Sequence, residues 1–426
     1  MLINEKTWEF VRQHANDDVR KLALQGAKDA EVDLQTALQQ IAGRQTARKK
    51  LPSWAEVEGV VYPPHLNMEQ CSSEQTARYK SQIAGKGESM VDLTGGYGVD
   101  LYWMSQGFSQ RTYVEQNEQL CAIAQENFRT LRHDCRVCCC DTATYLSEMP
   151  HVSLAFLDPA RRNEHGGRTY GIEDCMPNVL ELFPQLVQKA DRILLKLSPM
   201  LDWRKAVSDL EKASPNGTFK VTDVHIVSVD NECKELLLLL GKGQTDTLRV
   251  VCVNGASSFT FLLPPKGRSV ARIPSVGMFS SQSGKNLFPG WEYLTSSALA
   301  DSPLYLYEPN ASIMKAGCFA EVEAQFPVQQ VSANSHLFLS DSEIKDFPGR
   351  KFQITSISSM NKQELKKKFS ESLVPMESAN ITVRNFPMSA EQLRKKLKLK
   401  DGGDTYIFAT TLASGEHKLF FCRKIG

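Results

Sequence analysis

MVDLTGGYGVDL, residues 90–101, is the stretch around which the rest of the chain is organised. Met90 and Val91 open an apolar run that ends on an acid, Asp92. A glycine-dense turn follows, Thr94-Gly95-Gly96-Tyr97-Gly98, and the pattern then predicts a helix opening at Val99. Strand, Gly-rich turn and helix in that order suit a ligand with a nucleotide-like part. Glycine lets the backbone approach the ligand closely, and a helix N-terminus offers free N–H groups.

Working outward, residues 89–240 alternate short apolar runs with helical patterns. Strands are predicted at 90–93, 111–115, 136–139, 154–157, 192–197, 223–229 and 235–240, with helices at 98–106, 118–131, 142–148, 177–189 and 203–213. The alternation predicts a parallel sheet of βαβ units, five parallel strands followed by a reversing pair. Four acids close four successive strands: Asp92, Glu115, Asp141 and Asp158. That is the end of an open α/β sheet at which ligands bind. Any one of them is at home as a turn or helix-cap residue, but four at strand ends of one sheet are hard to attribute to turns. Glu115 lies 23 residues past Asp92, close to the ~20-residue offset at which an acid meets ribose hydroxyls in dinucleotide folds.

On these residues the chain resembles class I S-adenosylmethionine-dependent methyltransferases. Asp92 to Gly98 is similar to their D-x-G-x-G-x-G motif, with Thr94 where the first glycine usually stands. The resemblance implies an α/β, Rossmann-like class I methyltransferase fold with a seven-stranded sheet, and S-adenosyl-L-methionine as cofactor. It implies that Asp92, Thr94, Gly95, Gly96 and Gly98 form the cofactor turn, with Gly96 and Gly98 facing the methionine part. Glu115 would bind the ribose hydroxyls and Asp141 the adenine amino group. An NAD-dependent enzyme would instead want G-x-G-x-x-G.

Asp158-Pro159-Ala160-Arg161-Arg162 stands where this class keeps its fourth motif. Enzymes that methylate exocyclic amines carry Asp or Asn there, followed by Pro-Pro-aromatic. An amine nucleophile needs acceptors that orient its N–H groups, and a carboxylate at a Pro-rigidified turn supplies them. The sulfonium leaving group removes the need for a metal. Here Ala160 replaces the second proline and Arg161 stands in place of the stacking aromatic. DPAR is closer to the DPPR form of pyrimidine carbon-5 RNA methyltransferases, which use a cysteine in this motif or after the next strand. The matching positions are Ala160 and Leu197-Ser198-Pro199, so covalent carbon-5 chemistry is not expected. Asp158 and Arg161 are the catalytic candidates. Arg161 and Arg162 suit a phosphate or acidic substrate, the ordinary alternative being an ion pair to Glu164 or Asp174.

Net charge is only +1, yet residues 350–426 hold fifteen Lys/Arg against seven Asp/Glu. A basic tail on a faintly acidic body hints at a polyanionic partner. The tail predicts strand, helix, strand, helix, strand, strand. With YEPNASIMKAG and RNFPMSAEQLRKKLKLKDGGDTYIFATT, DLTGGYGVD and FLDPARR, the whole chain resembles a bacterial family of methyltransferases with a C-terminal THUMP-like domain. THUMP modules occur in RNA-modifying enzymes, which implies RNA, ribosomal or transfer, as partner. Lys366, Lys367, Lys368, Arg394, Lys395, Lys396, Lys398 and Lys400 would meet phosphates. The alternative is that KKK and LRKKLKLK are solvated helix faces, with Leu393, Leu397 and Leu399 turned inward.

The 426 residues predict several domains: a helical cap over 1–85, the methyltransferase domain over 86–270, a small α/β, ferredoxin-like segment over 271–350 and the basic α+β module over 351–426. In the cap, Ser72 or Ser73 is positioned to start a helix. A hairpin is predicted at 247–264, with Asn254-Gly255 near its turn. No apolar run nears the roughly 18–20 residues of a membrane span. MLINEKTWEFVRQ lacks the basic-then-apolar pattern of a secretory leader, and the cytoplasm is the expected location. Eleven cysteines do not make a disulfide scaffold. The cluster Cys135, Cys138, Cys139 and Cys140 has one half-site spacing but no second pair, and reads as a buried strand using Cys as a small apolar residue. Three functions stay open at this point. The first is an RNA methyltransferase acting on a base nitrogen. The second is a methyltransferase of a protein or small molecule, and the third is a non-catalytic RNA-binding protein on the same fold.

Overall fold

Residues 3–161, 171–243, 247–264, 303–365 and 376–425 are described by a computed structural model. The chain divides into two compact units, Met1–His225 with Glu235–Arg249, and Ile226–Lys234 with Val250–Gly426.

The apolar runs predicted as strands form β1 (Gly87–Asp92), β2 (Phe108–Glu115), β3 (Arg136–Cys139) and β4 (Val152–Leu157). A two-residue pair, β5 (Ala160–Arg161) and β6 (Cys175–Met176), stands apart as its own small sheet. The main sheet continues through β7 (Ala190–Leu197), β8 (Phe219–Val229), β9 (Glu232–Lys242), β10 (Leu248–Asn254) and β11 (Ser257–Leu263). Its order is β11-β10-β8-β9-β7-β4-β1-β2-β3. β1 is parallel to β2 and β4, β2 to β3, and β4 to β7, while β9 runs antiparallel to β7. The strand that comes after β8 in the chain is thus inserted between β7 and β8, the order of the class I methyltransferase sheet. Nine strands replace the seven expected, because the hairpin predicted at 247–264 adds two to the same sheet. Central strands are buried almost end to end: Leu154, Ala155, Phe156 and Leu157 in β4, and Ile193, Leu194 and Leu195 in β7. Helix-covered parallel strands need apolar side chains on both faces.

The cysteine cluster corrects its reading. β3 lies at the edge of the sheet, so Cys139 is exposed and Cys135, Cys138 and Cys140 are only half-buried. An edge strand has no neighbour on one side to exclude water.

The first 84 residues are helical as expected, in helices Glu5–Gln13, Val19–Gln25, Leu34–Lys50, Pro52–Ala55, His65–Gln70 and Glu74–Ala84. Asn4, Asp18, Asp33 and Ser73 cap four of them by accepting backbone N–H groups of the first turn. This layer packs on the sheet's helices: Trp54, Val60 and Tyr62 share one apolar cluster with Tyr97, Val99 and Ile123. Asn127 accepts from the Val61 N–H at 2.7 Å and donates to its carbonyl at 2.9 Å. The buried amide fixes the chain between the two layers by satisfying a peptide that would otherwise be orphaned.

The second unit holds a seven-stranded sheet. Its strands are β12 (Leu304–Pro309), β13 (Gln329–Gln330), β14 (Phe338–Ser340), β15 (Gly349–Ser359), β16 (Asn380–Arg384), β17 (Thr405–Thr411) and β18 (His417–Lys424). Their order is β13-β14-β12-β15-β18-β17-β16. β16 and β17 are parallel and are joined through the helix Ala390–Leu397. Leu393, Leu397 and Leu399 turn inward against Ile407, Leu419 and Phe421. Among the described residues, no helix is long and apolar enough to cross a membrane.

Candidate active site

The Gly-rich turn is shaped by what packs beneath it. A Cβ on Gly95 would sit 2.2 Å from the Tyr113 ring, so only glycine lets the turn close onto β2. The Gly95 N–H then donates to the Val114 carbonyl at 2.8 Å. Gly98, at φ +84°, is the left-handed residue that opens the helix Val99–Met104. The Tyr113 hydroxyl donates to the Gly96 carbonyl at 2.5 Å.

Glu115, at the end of β2, closes this turn from outside. Its carboxylate accepts the Gly96 N–H at 2.9 Å and the Asn117 N–H at 2.9 Å. Two backbone donors fix both oxygens and leave their remaining lone pairs on the half-buried side of the turn. Asp141 is the exposed N-cap of Thr142–Glu148, accepting the Thr144 N–H at 2.9 Å and the Thr144 hydroxyl at 2.5 Å. The Thr144 hydroxyl and N–H lower its pKa by stabilising the carboxylate.

Asp92 is fully buried and accepts the Thr94 N–H at 3.0 Å. Burial pushes its pKa well above the carboxylate range, and the charges of Asp100, Asp158 and Glu115 add to this. Thr94, the residue out of place in the motif, joins two strand ends. Its hydroxyl lies 3.4 Å from Asp92 Oδ1 and accepts the Asp158 N–H at 2.6 Å. A glycine there could not make that bridge between β1 and the end of β4.

Asp158 ends β4 beside this turn. Its Oδ2 meets Lys196 Nζ at 2.5 Å, its Oδ1 accepts no hydrogen bond among the described residues, and 36% of the side chain stays open. Behind it lies a buried charge network. Lys196, 11% exposed, reaches Asp158, the Ser72 hydroxyl at 3.1 Å and Asp100 at 3.5 Å. Lys80, wholly buried, meets both Glu235 oxygens at 2.6 Å, Asp100 at 3.1 Å and Ser72 at 3.1 Å. Ser72 donates to Asp100 at 2.8 Å. Burial alone would raise Asp100, but Lys80 and Lys196 bring its pKa below the usual value. Burial alone would lower Lys196, but Asp158, Asp100 and Glu235 raise it well above a free lysine. Burial raises Asp158, with Lys196 pulling the other way.

Asp92, Thr94, Gly95, Gly96, Gly98, Glu115 and Asp158, expected in one site together with Asp141, are gathered with hydrogen bonds linking neighbours, while the Asp141 carboxylate caps its own helix. Ser72, Lys80, Asp100, Lys196 and Glu235 were not expected in this site. One signal was visible: Lys196 is a charge inside the apolar strand ILLKL. For Arg161 the backbone is described, paired with Cys175 in the small β5–β6 sheet. Arg162, Lys366, Lys367 and Lys368 lie outside the described residues. Arg394 pairs with Asp401 at 2.5 Å and Lys395 with Glu391 at 2.9 Å, while Lys396 is exposed.

The whole chain superposes on the crystal structure of a "putative methyltransferase" from Porphyromonas gingivalis W83, with TM-score 0.79 and 28% identity over 100% of both chains. Residues 349–424 match the THUMP domain-like family model and residues 305–348 a ferredoxin-like domain model. This is a class I methyltransferase fold with a THUMP-like domain at its C-terminus. Partial superpositions, each on under half of this methyltransferase-fold chain, include a putative RNA methyltransferase from Pyrococcus horikoshii and TrmK from M. capricolum bound to S-adenosyl-homocysteine. The first has TM-score 0.33 at 17% identity, over 45% of this chain and 96% of that one. The second has TM-score 0.31 at 10% identity, over 39% and 68%. No curated protein matches the sequence.

Proposed function

We propose that the protein is an S-adenosylmethionine-dependent methyltransferase that modifies RNA at a base nitrogen. The observation that carries this reading is Asp158: a carboxylate at the end of β4, one oxygen held by Lys196 and the other without a hydrogen bond among the described residues, beside a Gly-rich turn closed by Glu115.

The residues present fit the cofactor. Glu115 is aimed by two backbone N–H groups and suits a ribose diol, and Asp141 suits the adenine amino group. Held there, S-adenosyl-L-methionine would supply a methyl group on a positively charged sulfur. Asp158 Oδ1 accepts an N–H of the substrate amine and turns its lone pair toward the methyl group, so the chain contributes mainly orientation. A neutral base nitrogen bearing N–H is the substrate group that such an acceptor holds. The THUMP-like domain and its basic surface support RNA as the molecule that carries it. Arg161 and Arg162, which follow Asp158 in the chain, are assigned to the substrate's phosphates, and Arg394, Lys395 and Lys396 to RNA held by the C-terminal domain.

Calorimetric titration with S-adenosylmethionine tests the cofactor. Binding by the wild type and a loss of at least about tenfold in Glu115→Ala is expected, one charge-assisted pair of hydrogen bonds being worth roughly 1.5–3 kcal/mol. No binding by the wild type would leave only a non-catalytic RNA-binding role. Mass spectrometry of nucleosides in total RNA, with and without the protein, then names the atom. An unchanged spectrum, with affinity for RNA flat across a salt series, would turn the reading to a protein or small-molecule substrate.

A further inference from the structure

The buried network has a composition that simple packing does not call for. It holds two lysines, Lys80 and Lys196, and three carboxylates, Asp100, Glu235 and Asp158. Buried charges are costly and are tolerated when paired and hydrogen-bonded. Lys80, Asp100 and Glu235 meet that condition deep inside, with Ser72 bridging them. One negative charge is left over, and it sits at the only member of the network that is more than a third open, Asp158.

We infer that Lys196 is the positioning residue of the reaction centre: it holds one oxygen of Asp158 so that the other faces the substrate, and is itself locked by Asp100 and Ser72. This rests on the methyltransferase reading and deepens it. Lys196 Nζ donates to Asp158 at 2.5 Å and to Ser72 at 3.1 Å, and the Asp100 carboxylate stands 3.5 Å away as a second counter-charge. Its ammonium, on a side chain 11% exposed, is thus held by groups of the protein. Asp100 is in turn fixed by Lys80, which Glu235 clamps through both oxygens. Ser72 and Lys80 come from the N-terminal helical layer, so that layer is built into the reaction centre. A rigid chain of this kind holds a catalytic group in place through its supporting partners. The residual negative charge lies where a cationic methyl donor and a nitrogen gaining positive charge would both be favoured.

The charged groups around Asp158 are Lys196 from β7, Asp100 from the helix Val99–Met104, Lys80 from the helix Glu74–Ala84 and Asp92 from β1, and behind the two lysines stands Glu235 from β9. Lys196 and Lys80 are the groups among them that lower its pKa, and Lys196 is in contact. Loss of Lys196 must therefore raise it.

The test is a carbon-13 NMR titration of protein labelled at Asp carboxyl carbons, with the Asp158 signal assigned from Asp158→Asn. Lys196→Met is expected to move the Asp158 midpoint upward by about 1–3 units. An unmoved midpoint overturns the proposal. Should Lys196→Met not fold, Lys196→Gln removes the charge, keeps a polar side chain one bond shorter, and must show a rise in the same direction. The second readout is transfer of a tritiated methyl group from saturating S-adenosylmethionine to total RNA from cells lacking the protein. Lys196→Met should lose about 10–100-fold in rate, with its acid limb moved to higher pH and KM for the methyl donor changed less than twofold. In an Asp158→Asn background it should cost nothing further, and an equal loss there would show that Lys196 does not act through Asp158. Absent cofactor binding by the wild type would sink the methyltransferase reading, while the NMR shift would still decide the role of Lys196.

Discussion

Two carboxylates, one in each compact unit, meet basic side chains in opposite ways. In the second unit Glu308 is 3% exposed and both its oxygens are taken: Arg350 Nε donates to Oε2 at 2.6 Å and Arg384 Nη2 to Oε1 at 2.8 Å. In the first unit one oxygen of Asp158 meets Lys196, which Ser72 and Asp100 hold in turn, and the other accepts no hydrogen bond among the described residues. A carboxylate only 3% exposed, with each oxygen taken by a guanidinium group, has little left to offer a ligand. It ties β12 to β15 and β16 and is a structural feature. A carboxylate held on one side only is aimed. On the function proposed for Asp158, saturation, more than burial or charge, separates a structural ion pair from a reactive one.

The sharpest way to break this comparison is to remove each carboxylate. Asp158→Ala should lower methyl transfer by at least about 100-fold, the size expected when a reacting group is no longer held in place, while cofactor affinity by calorimetry changes less than twofold. Its melting temperature should hold, because Lys196 keeps Asp100 and Ser72. Lost cofactor binding would contradict the role assigned to Asp158. Glu308→Ala should do the reverse, costing about 3 kcal/mol in denaturant unfolding, the low end for breaking a buried pair. The low end applies because both arginines are more than a third exposed and can rehydrate. Unchanged stability would make Glu308 a free acceptor after all.

A smaller effect concerns the first unit as a whole. Burial lowers His133 and His225 to about 4, against roughly 6.5 in an unfolded chain. The unfolded state then binds more protons between those values, so stability should fall as pH drops from about 6.5 to 4. Below that window Asp100, with its lowered pKa, adds to the loss. Thermal melts across pH 4–7 read this directly. A flat profile would mean that neither histidine is held neutral.

Much of the first unit could be read from the chain because its signals are local. Asp92, the glycines and the opening of the helix lie within a dozen residues, and each follows from turn and cap chemistry. Glu115 and Asp141 are set by strand ends, which apolar runs mark well. Thr94 shows the limit: along the chain it is only the residue that stands in place of the motif's first glycine, and the contact with the Asp158 N–H gives it a purpose. The cysteine run misled because the same apolar composition suits a central or an edge strand, and sheet order decides which.

The sequence by itself determined the order of elements, the Gly-rich turn and the acids at the strand ends, since these depend on the period of apolar residues and on neighbours a few positions apart. The tertiary structure alone decided what surrounds Asp158. Lys196 follows it by 38 residues, and Lys80 meets Glu235 across 155. Such pairs exist only once the sheet is ordered and the N-terminal helices have packed on it, because ion pairing depends on distance in space and leaves no periodic trace along the chain.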